Sequence, residues 1–405
     1  MQRIFFLKQK EILKLFKSSK FSSFIFLSSA NARGIAKYSQ NINDELDNSS
    51  IIFPFYNYKN KVLLVLREQI INFLLMIYII LLNKILFPKN TVNFIFPNSR
   101  LPLFSIFIKS IKNINLYIIL HDAMEINLEL RLNQLILKLN SILIYISILL
   151  CDFIIYNSYS TKETFNKLLI RSKNKRDFIY ITINKKLPSM EPIYSEITLK
   201  KINLYSICGI TKFKNLNAYV ELIKYFNSKQ SLVNYFLTGV DNQYLSSKIS
   251  FPVLKLKNNI FATKEGNKEL SYSNYFSNSY IDESLLYSLY LNSNYFISLS
   301  SNEGFGIPVF EALRFGVNVI LSDISVYREL VEMFNNLGIL NSQVKFVNIE
   351  DPYLCQNILN GLSKEIISKN IKIQRVKNYN QSGNIINNIY NSKLLKNLLG
   401  DDQYK

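Results

Sequence analysis

The fold of this chain is most constrained by short, continuous apolar runs that alternate with longer amphipathic stretches. In the first half, four such runs are each followed by polar residues, at positions 21–28, 92–96, 116–120 and 153–156. Strands that are apolar at nearly every position are typical of parallel sheets covered on both faces, and the stretches between them are long enough for helices. The pattern predicts a doubly wound α/β domain.

The alternation is interrupted once and then restarts. Residues 183–195 are rich in Lys, Pro and Ser, and we interpret them as a linker. Beyond the linker we predict strands at 203–208, 234–238, 295–299 and 318–321, helices at 215–226, 282–291, 308–315 and 326–334, and a loop-rich region up to residue 279.

A chain of 405 residues is expected to form two domains. We predict an N-terminal Rossmann-like domain over residues 1–190, closed by a C-terminal helix at 379–397, and a second Rossmann-like domain over residues 200–370. Ligands of such domains bind at the carboxyl ends of the strands, so we expect a central cleft with one domain on each side.

The chain is basic along its whole length, with 48 Lys and Arg against 29 Asp and Glu and a formal net charge of +19. Because the basic residues form only short clusters, without a recognisable DNA or RNA motif, we expect no nucleic-acid partner. Phosphorylated small molecules and an acidic membrane surface are the anionic partners left open. The widely spaced Cys151, Cys208 and Cys355 show no metal-ligand pattern, which favours three buried, reduced thiols in a cytoplasmic protein.

Two apolar stretches, residues 71–83 and 135–150, resemble membrane spans at first sight. Polar residues interrupt or bound both stretches, and a span needs roughly 18 apolar residues. We therefore expect helices packed inside an α/β domain. The N-terminal residues 1–19 contain Lys and Glu and lack the apolar core of a signal peptide, so we expect a cytoplasmic location. Attachment to the inner face of a membrane stays open.

Residues 301–311, SNEGFGIPVFE, join an apolar strand to a helix through a polar loop. Pro308 suits the first turn of a helix, where its missing amide hydrogen costs no hydrogen bond. Gly304 and Gly306 let the backbone approach a ligand closely. Amides at a helix N-terminus stabilise anions such as a diphosphate, so the loop predicts a site for a phosphorylated ligand.

The segment also carries two carboxylates, Glu303 in the loop and Glu311 in the predicted first turn of the helix. Two glutamates separated by seven residues around a GFG loop and a proline resemble the donor-binding motif of the retaining glycosyltransferase family 4, whose fold is of the two-Rossmann (GT-B) type. The resemblance implies that Glu303 binds the hydroxyls of the donor sugar and Glu311 those of the ribose. It also implies that the backbone of Gly304, Phe305, Gly306 and Ile307 borders the donor.

Two positions in the first domain extend the resemblance. Gly34, after the first strand, lies where the family has a glycine loop that faces the diphosphate, although Ala36 replaces the second glycine. The alternative is a plain turn before a helix. His121, the sole histidine, follows a strand and precedes Asp122. The family has a similar His-Asp pair whose histidine lines the reaction centre, so the resemblance implies a catalytic role; the alternative is a polar residue at the end of a strand.

Lys214 matches a strand–Gly–loop–Lys-Asn pattern of the same family, which implies that it neutralises the diphosphate leaving group. The family usually has an arginine nearby, and this chain has Ile210 and Phe213 in those places. Lys212 either substitutes for that arginine or is an ordinary surface lysine. Ile281 resembles a position that contacts the base of the donor.

The resemblance implies a metal-independent retaining glycosyltransferase without a cofactor, whose nucleotide-sugar donor serves a saccharide or lipid-linked acceptor in surface polysaccharide or glycolipid biosynthesis. Two alternatives stay open: a non-catalytic nucleotide-sugar-binding or scaffold protein of the same fold, and a GT-B nucleotide-sugar epimerase.

Overall fold

A computed structural model of the chain describes residues 11–17, 20–26, 33–46, 50–53, 61–97, 101–121, 135–168, 176–181, 202–209, 211–228, 233–239, 253–255, 260–264, 272–277, 283–363 and 367–399. The chain forms two compact units. Unit 1 comprises Met1–Ile183 and Ile386–Lys405, and unit 2 comprises Asn184–Ile385. The predicted linker, residues 183–195, lies outside the described residues.

Unit 1 is built on a six-stranded sheet in the order β2-β1-β3-β4-β5-β6, in which all neighbours are parallel. Its strands are β1 (Phe21–Phe26), β2 (Ser50–Phe53), β3 (Thr91–Phe96), β4 (Ile114–Leu120), β5 (Phe153–Tyr156) and β6 (Arg176–Ile179). The parallel sheet is the predicted one. The sequence did not reveal the short edge strands β2 and β6, whose sequences are SIIF and RDFI.

Helices cover both faces of this sheet. Before unit 2 they are α1 (residues 11–17), α2 (Arg33–Leu46), α3 (Lys61–Leu86), a 3-10 helix (Leu103–Phe107), α4 (Leu135–Leu150) and α5 (Tyr159–Leu168). Apolar side chains of α1, α3, α4 and α5 form one core with one face of the strands. Those of α2 pack against the opposite face. Helices on both faces explain why β4 and β5 are buried almost throughout.

Unit 2 contains an eight-stranded sheet in the order β14-β13-β12-β7-β8-β11-β10-β9. Its strands are β7 (Ile202–Ile207), β8 (Val233–Thr238), β9 (Val253–Lys255), β10 (Ile260–Lys264), β11 (Tyr272–Ser277), β12 (Tyr295–Ser298), β13 (Asn318–Ser322) and β14 (Val344–Val347). Among these strands, β10 pairs antiparallel with β9 and with β11, and the other described pairs are parallel. The strands β9 to β11 lie where a loop-rich region was predicted, and for these residues the prediction was wrong. They are short or polar, as in IFATK and YSNYFS, and lack a continuous apolar run.

The helices of unit 2 follow the strands. They are a 3-10 turn (Lys212–Lys214), α6 (Leu216–Ser228), α7 (Glu283–Asn292), α8 (Ile307–Phe315), α9 (Ser325–Asn336), α10 (Leu354–Asn360) and α11 (Lys369–Ile386). The apolar face of α6 forms a core with one face of the sheet.

The C-terminal part of the chain returns to unit 1. After α11, a π-helical turn (Asn387–Asn391) leads into α12 (Ser392–Leu399). Leu394 and Leu398 are buried in the same core as α2. Asn391 exchanges two hydrogen bonds with the backbone of Ile181, at 2.9 and 3.0 Å. The end of the chain therefore supplies one of the layers on the sheet of unit 1.

Candidate functional site

The strand order of the unit 2 sheet reverses at β7. The strands β8 to β11 lie on one side of it, and β12 to β14 lie on the other. In open α/β sheets, ligands bind outside the carboxyl ends of the strands at such a reversal. The loops that leave the carboxyl ends of β7 and β12 are therefore where a ligand site is expected in unit 2.

These two loops are tied together. The amide of Ser301, after β12, donates to the carbonyl of Phe213, after β7, at 2.8 Å. Next to this contact, Lys214 Nζ donates to Glu303 Oε1 at 2.5 Å. The side chains of the pair are 29% and 13% exposed, so the interaction is partly shielded from water. Two residues that the sequence predicts for one site are in direct contact.

Glu303 is held by further hydroxyl groups. Its Oε1 accepts hydrogen bonds from Ser300 Oγ at 2.8 Å and from the Tyr327 hydroxyl at 3.4 Å. The same hydroxyl lies 2.6 Å from Ser298 Oγ, at the end of β12. Burial, followed by the charge of Glu303, raises the pKa of Tyr327 well above its usual value, which keeps it a neutral donor. Sequence reasoning missed Tyr327 because it lies on α9, in a different element from the motif.

The start of α8 follows Glu303 directly. Gly306 is the N-cap of α8 and has a φ of 78°, a left-handed conformation that favours glycine. A Cβ at this position would lie 2.8 Å from the ring of Tyr327. Phe305 is buried against Phe310, whereas Gly304 and Ile307 are partly exposed. The loop therefore presents backbone and a helix N-terminus beside the carboxylate of Glu303.

The second glutamate of the motif has a different environment. Glu311 is only 5% exposed, and its Oε2 accepts a hydrogen bond from the Tyr290 hydroxyl at 3.4 Å. This hydroxyl also donates to the carbonyl of Pro308 at 3.0 Å. Because α8 begins at Ile307, Glu311 lies in the second turn, and its predicted place in the first turn was wrong.

Cys208 lies under the same loops. Its thiol contacts the carbonyl oxygens of Gly209 and Lys214 at 3.3 and 3.4 Å. Burial raises the pKa of Cys208 to about 12, with Lys214 acting against the rise and Glu303 adding to it. The thiol is therefore protonated at neutral pH and is no nucleophile.

Three further predictions from the sequence concern Lys212, Ile281 and the cysteines. Lys212 is exposed at the start of the 3-10 turn. Ile281 lies outside the described residues. All three cysteines are free, but Cys355 is partly exposed, so the expectation of three buried thiols was wrong in that detail.

Two predicted residues belong to unit 1. Gly34 is the second residue of α2, so it lies in the first turn of that helix and not in the predicted loop. His121 directly follows β4, and its carbonyl accepts a hydrogen bond from Asn157 Nδ2 at 2.6 Å. Burial lowers the pKa of His121 to about 4, against the opposite effect of a hydrogen bond to the backbone of Pro97. The imidazole is therefore neutral at pH 7.

Two further properties concern metals and membranes. In the described part of the chain, no group of three or more His, Cys, Asp or Glu side chains is placed to hold a metal ion. No helix among the same residues has the length and apolar character needed to cross a bilayer.

Solved structures of other proteins have folds similar to that of this chain. The E. coli trehalose-6-phosphate protein bound with UDP-2-fluoro glucose has a TM-score of 0.56 at 13% identity, covering 95% of this chain and 99% of that one. WaaG, a glycosyltransferase involved in lipopolysaccharide biosynthesis, has a TM-score of 0.53 at 10% identity, covering 93% and 100%. These likenesses show that the chain has the GT-B fold, with two parallel-sheet α/β domains.

Other comparisons are more limited. The match to S. aureus TarM spans about half (55%) of that protein and 76% of this chain. The two are 14% identical, and their TM-score of 0.48 does not show a common fold. No curated protein matches the sequence significantly. The family model of the group 1 glycosyl transferases matches residues 214–343. This segment begins at Lys214 and includes Glu303, Tyr327 and Glu311. Residues 214–343 therefore resemble the group 1 glycosyl transferases in sequence.

Proposed function

We propose that this protein is a retaining glycosyltransferase that moves a sugar from a nucleotide-sugar donor to a saccharide or lipid-linked acceptor. The observation that carries the proposal is the Lys214–Glu303 pair at the reversal of the unit 2 sheet, beside the N-terminus of α8. The family match supports a glycosyltransferase of the group 1 type. The UDP-sugar in the E. coli structure and the lipopolysaccharide role of WaaG support the donor and acceptor classes.

The two charges of the pair have separate tasks in this proposal. Lys214 and the amides at the start of α8 stabilise the negative charge of the diphosphate, which grows as the leaving group departs. Glu303, paired with Lys214, accepts hydrogen bonds from hydroxyls of the donor sugar. The family resemblance supports a place for His121 at the reaction centre, and its imidazole is neutral at pH 7.

The reaction replaces one bond at the anomeric carbon by another on the same face. The bond to the diphosphate oxygen breaks and its electron pair stays with the diphosphate. The acceptor hydroxyl oxygen forms the new bond, and its proton passes to the departing diphosphate. Glu303 and His121 position the sugar and form no covalent bond with it.

The class of activity is tested with a panel of UDP-, GDP- and ADP-sugars. Thermal shift reports donor binding, slow release of free sugar reports transfer to water, and conversion of one donor into another reports an epimerase. Binding without turnover of any donor, with an acceptor panel present, identifies the non-catalytic alternative and contradicts the proposal. Metal independence is part of the proposal and predicts that a chelator leaves the rate unchanged.

Glu303→Gln is the sharpest test of the site. The variant removes the charge that pairs with Lys214 but keeps the size of the side chain, so we expect turnover to fall by about 10²–10³-fold with a nearly unchanged fold. Glu350→Gln, at an exposed position, is the matched control and should keep the wild-type rate. A Glu303→Gln protein that transfers sugar at the wild-type rate would remove this residue from the mechanism.

A further inference from the structure

The outer side of α3 is apolar. Ile70, Leu74, Leu81 and Ile85 are 52, 51, 55 and 73% exposed. Their spacing of four, seven and four residues places them along one side of the helix. The opposite side is buried in the core of unit 1, as at Ile79. A surface helix of a globular protein normally turns charged and polar residues outward, so α3 departs from the usual pattern.

The neighbouring elements continue this surface. The 3-10 helix contacts both α3 and α4, so the three lie side by side. On the 3-10 helix, Ile106 and Phe107 are 56 and 72% exposed. On α4, Ile142, Tyr145 and Leu149 recur at helical spacing, and each is at least half exposed. We call the outward side of α3, the 3-10 helix and α4 the apolar face.

The apolar face is specific to unit 1. In the described part of unit 2, only Tyr353 and Ile373 are exposed among the large apolar residues. Isolated exposed apolar residues are normal, whereas a contiguous set on adjacent elements marks an interaction surface. The apolar face therefore requires an occupant.

The charge of the residues around the apolar face indicates which kind of partner occupies it. Residues 69–121 contain no Asp or Glu but include Lys84, Lys89, Lys109 and Lys112, and residues 130–151 also lack acidic residues. Lys84 and Lys109 donate to backbone carbonyls at 2.9 and 3.3 Å, which keeps the two ammonium groups beside the apolar face. A second copy of the chain would bring the same positive charge to the contact, which is unfavourable. An anionic bilayer offers negative headgroups above an apolar interior.

We infer that the apolar face docks on the surface of an anionic lipid bilayer. The exposed side chains of α3, the 3-10 helix and α4 enter the boundary between headgroups and acyl chains, while the lysines contact lipid phosphates. The helices lie on the bilayer and do not cross it. This inference is independent of the glycosyltransferase activity, since it needs neither donor nor acceptor.

The test is co-sedimentation of the full chain with vesicles. Wild-type protein is expected to sediment with vesicles of phosphatidylglycerol and phosphatidylcholine, more weakly with phosphatidylcholine alone, and less as the salt concentration rises. The double variant Ile85→Glu with Phe107→Glu places two carboxylates on the apolar face. It should lower the partition coefficient by about 10-fold or more.

Tyr353→Glu with Ile373→Glu is the matched control. It adds the same two charges at exposed apolar positions of unit 2 and should bind vesicles as the wild type does. Thermal unfolding of both double variants verifies that they fold. Equal loss of binding in the two variants, or equal binding to neutral and anionic vesicles, would overturn the inference. A wild-type protein that is a dimer without lipid, together with an Ile85→Glu, Phe107→Glu variant that is a monomer, would also overturn it. In that case a second copy of the chain would be the occupant of the apolar face.

Discussion

Glu303 is fixed mainly through one of its two carboxylate oxygens. Lys214, Ser300 and Tyr327 all donate to Oε1, from three different elements or loops of unit 2. Convergent donors restrict the rotation of a carboxylate, so the side chain is oriented before any ligand arrives. The sequence predicted Glu303 and Lys214, because each lies in a motif that joins a strand to a loop. It could not predict Tyr327, whose contact depends on how α9 packs on α8.

The contact between Gly306 and Tyr327 gives a prediction about stability. Gly306→Ala would place a Cβ 2.8 Å from the Tyr327 ring at a φ of 78°. Gly338→Ala is the matched control, since Gly338 has a φ of 66° and a Cβ added there would meet nothing within 4 Å.

Both alanine variants should lose about 1–2 kcal/mol of unfolding free energy from the left-handed conformation. Gly306→Ala should lose more than Gly338→Ala, because Tyr327 must also shift. Urea unfolding measures the difference, and equal losses in the two variants would show that the Tyr327 contact relaxes without cost.

The lowered pKa of His121 gives a prediction about how the stability of the protein depends on pH. Its pKa is about 4 in the folded protein, and the usual value in an unfolded chain is about 6.5. Between these values the unfolded chain binds a proton that the folded chain does not, so the stability supplied by neutral His121 is present above pH 6.5 and is lost as the pH falls toward 4.

His121→Asn should therefore lose less stability than the wild type between pH 7 and pH 4.5. Denaturant unfolding at several pH values measures both slopes. Parallel slopes for the two proteins would contradict a buried neutral imidazole.

At the scale of elements, the strands and helices that could be predicted from the sequence are those that contain a run of apolar residues. The structure has β5 (Phe153–Tyr156) and α4 (Leu135–Leu150) at the predicted bounds, because polar residues flank both predominantly apolar segments. The strands β9 to β11, at one end of the unit 2 sheet, were missed. Their residues pair through the backbone with β8 and with one another, and backbone pairing requires no apolar run. Strand order, and therefore the reversal at β7, also depends on pairing between distant segments.

The junction of α7 and α11 gives a prediction at this scale. Buried Arg375, on α11, donates from Nη1 to the carbonyls of Tyr290, Leu291 and Ser293 at 2.9–3.1 Å. These carbonyls lie in the last turn of α7 and directly after it, where a cation compensates both the unpaired acceptors and the helix dipole.

Arg375→Met keeps much of the side-chain length but leaves the carbonyls without that donor, and should cost about 2–4 kcal/mol. Lys377→Met, on the exposed side of α11, should cost little. The midpoint of urea unfolding measures both changes. A loss in Arg375→Met no larger than that in Lys377→Met would exclude a stabilising role for the guanidinium.

At the scale of the whole molecule, unit 1 is discontinuous in sequence and unit 2 is continuous. Leu394, on α12, is fully buried with strands and helices from the first half of the chain. Leu394→Ala should therefore lower the stability of unit 1 by about 2–5 kcal/mol. Lys393→Ala changes the adjacent, exposed residue and should have little effect. Thermal unfolding compares the two, and similar melting temperatures would show that α12 is dispensable to unit 1.

The placement of α12 has a consequence for synthesis on the ribosome. Domains generally fold in the order in which they leave the exit tunnel. Here the strands of unit 1 emerge first, yet one face of their sheet is covered by α2 and not by α12 until residues 392–399 have been translated. Unit 2 has all its strands before that point and can complete its sheet earlier. The nascent chain therefore carries an unfinished first half throughout the synthesis of the second, which is the interval in which chaperones would be needed most.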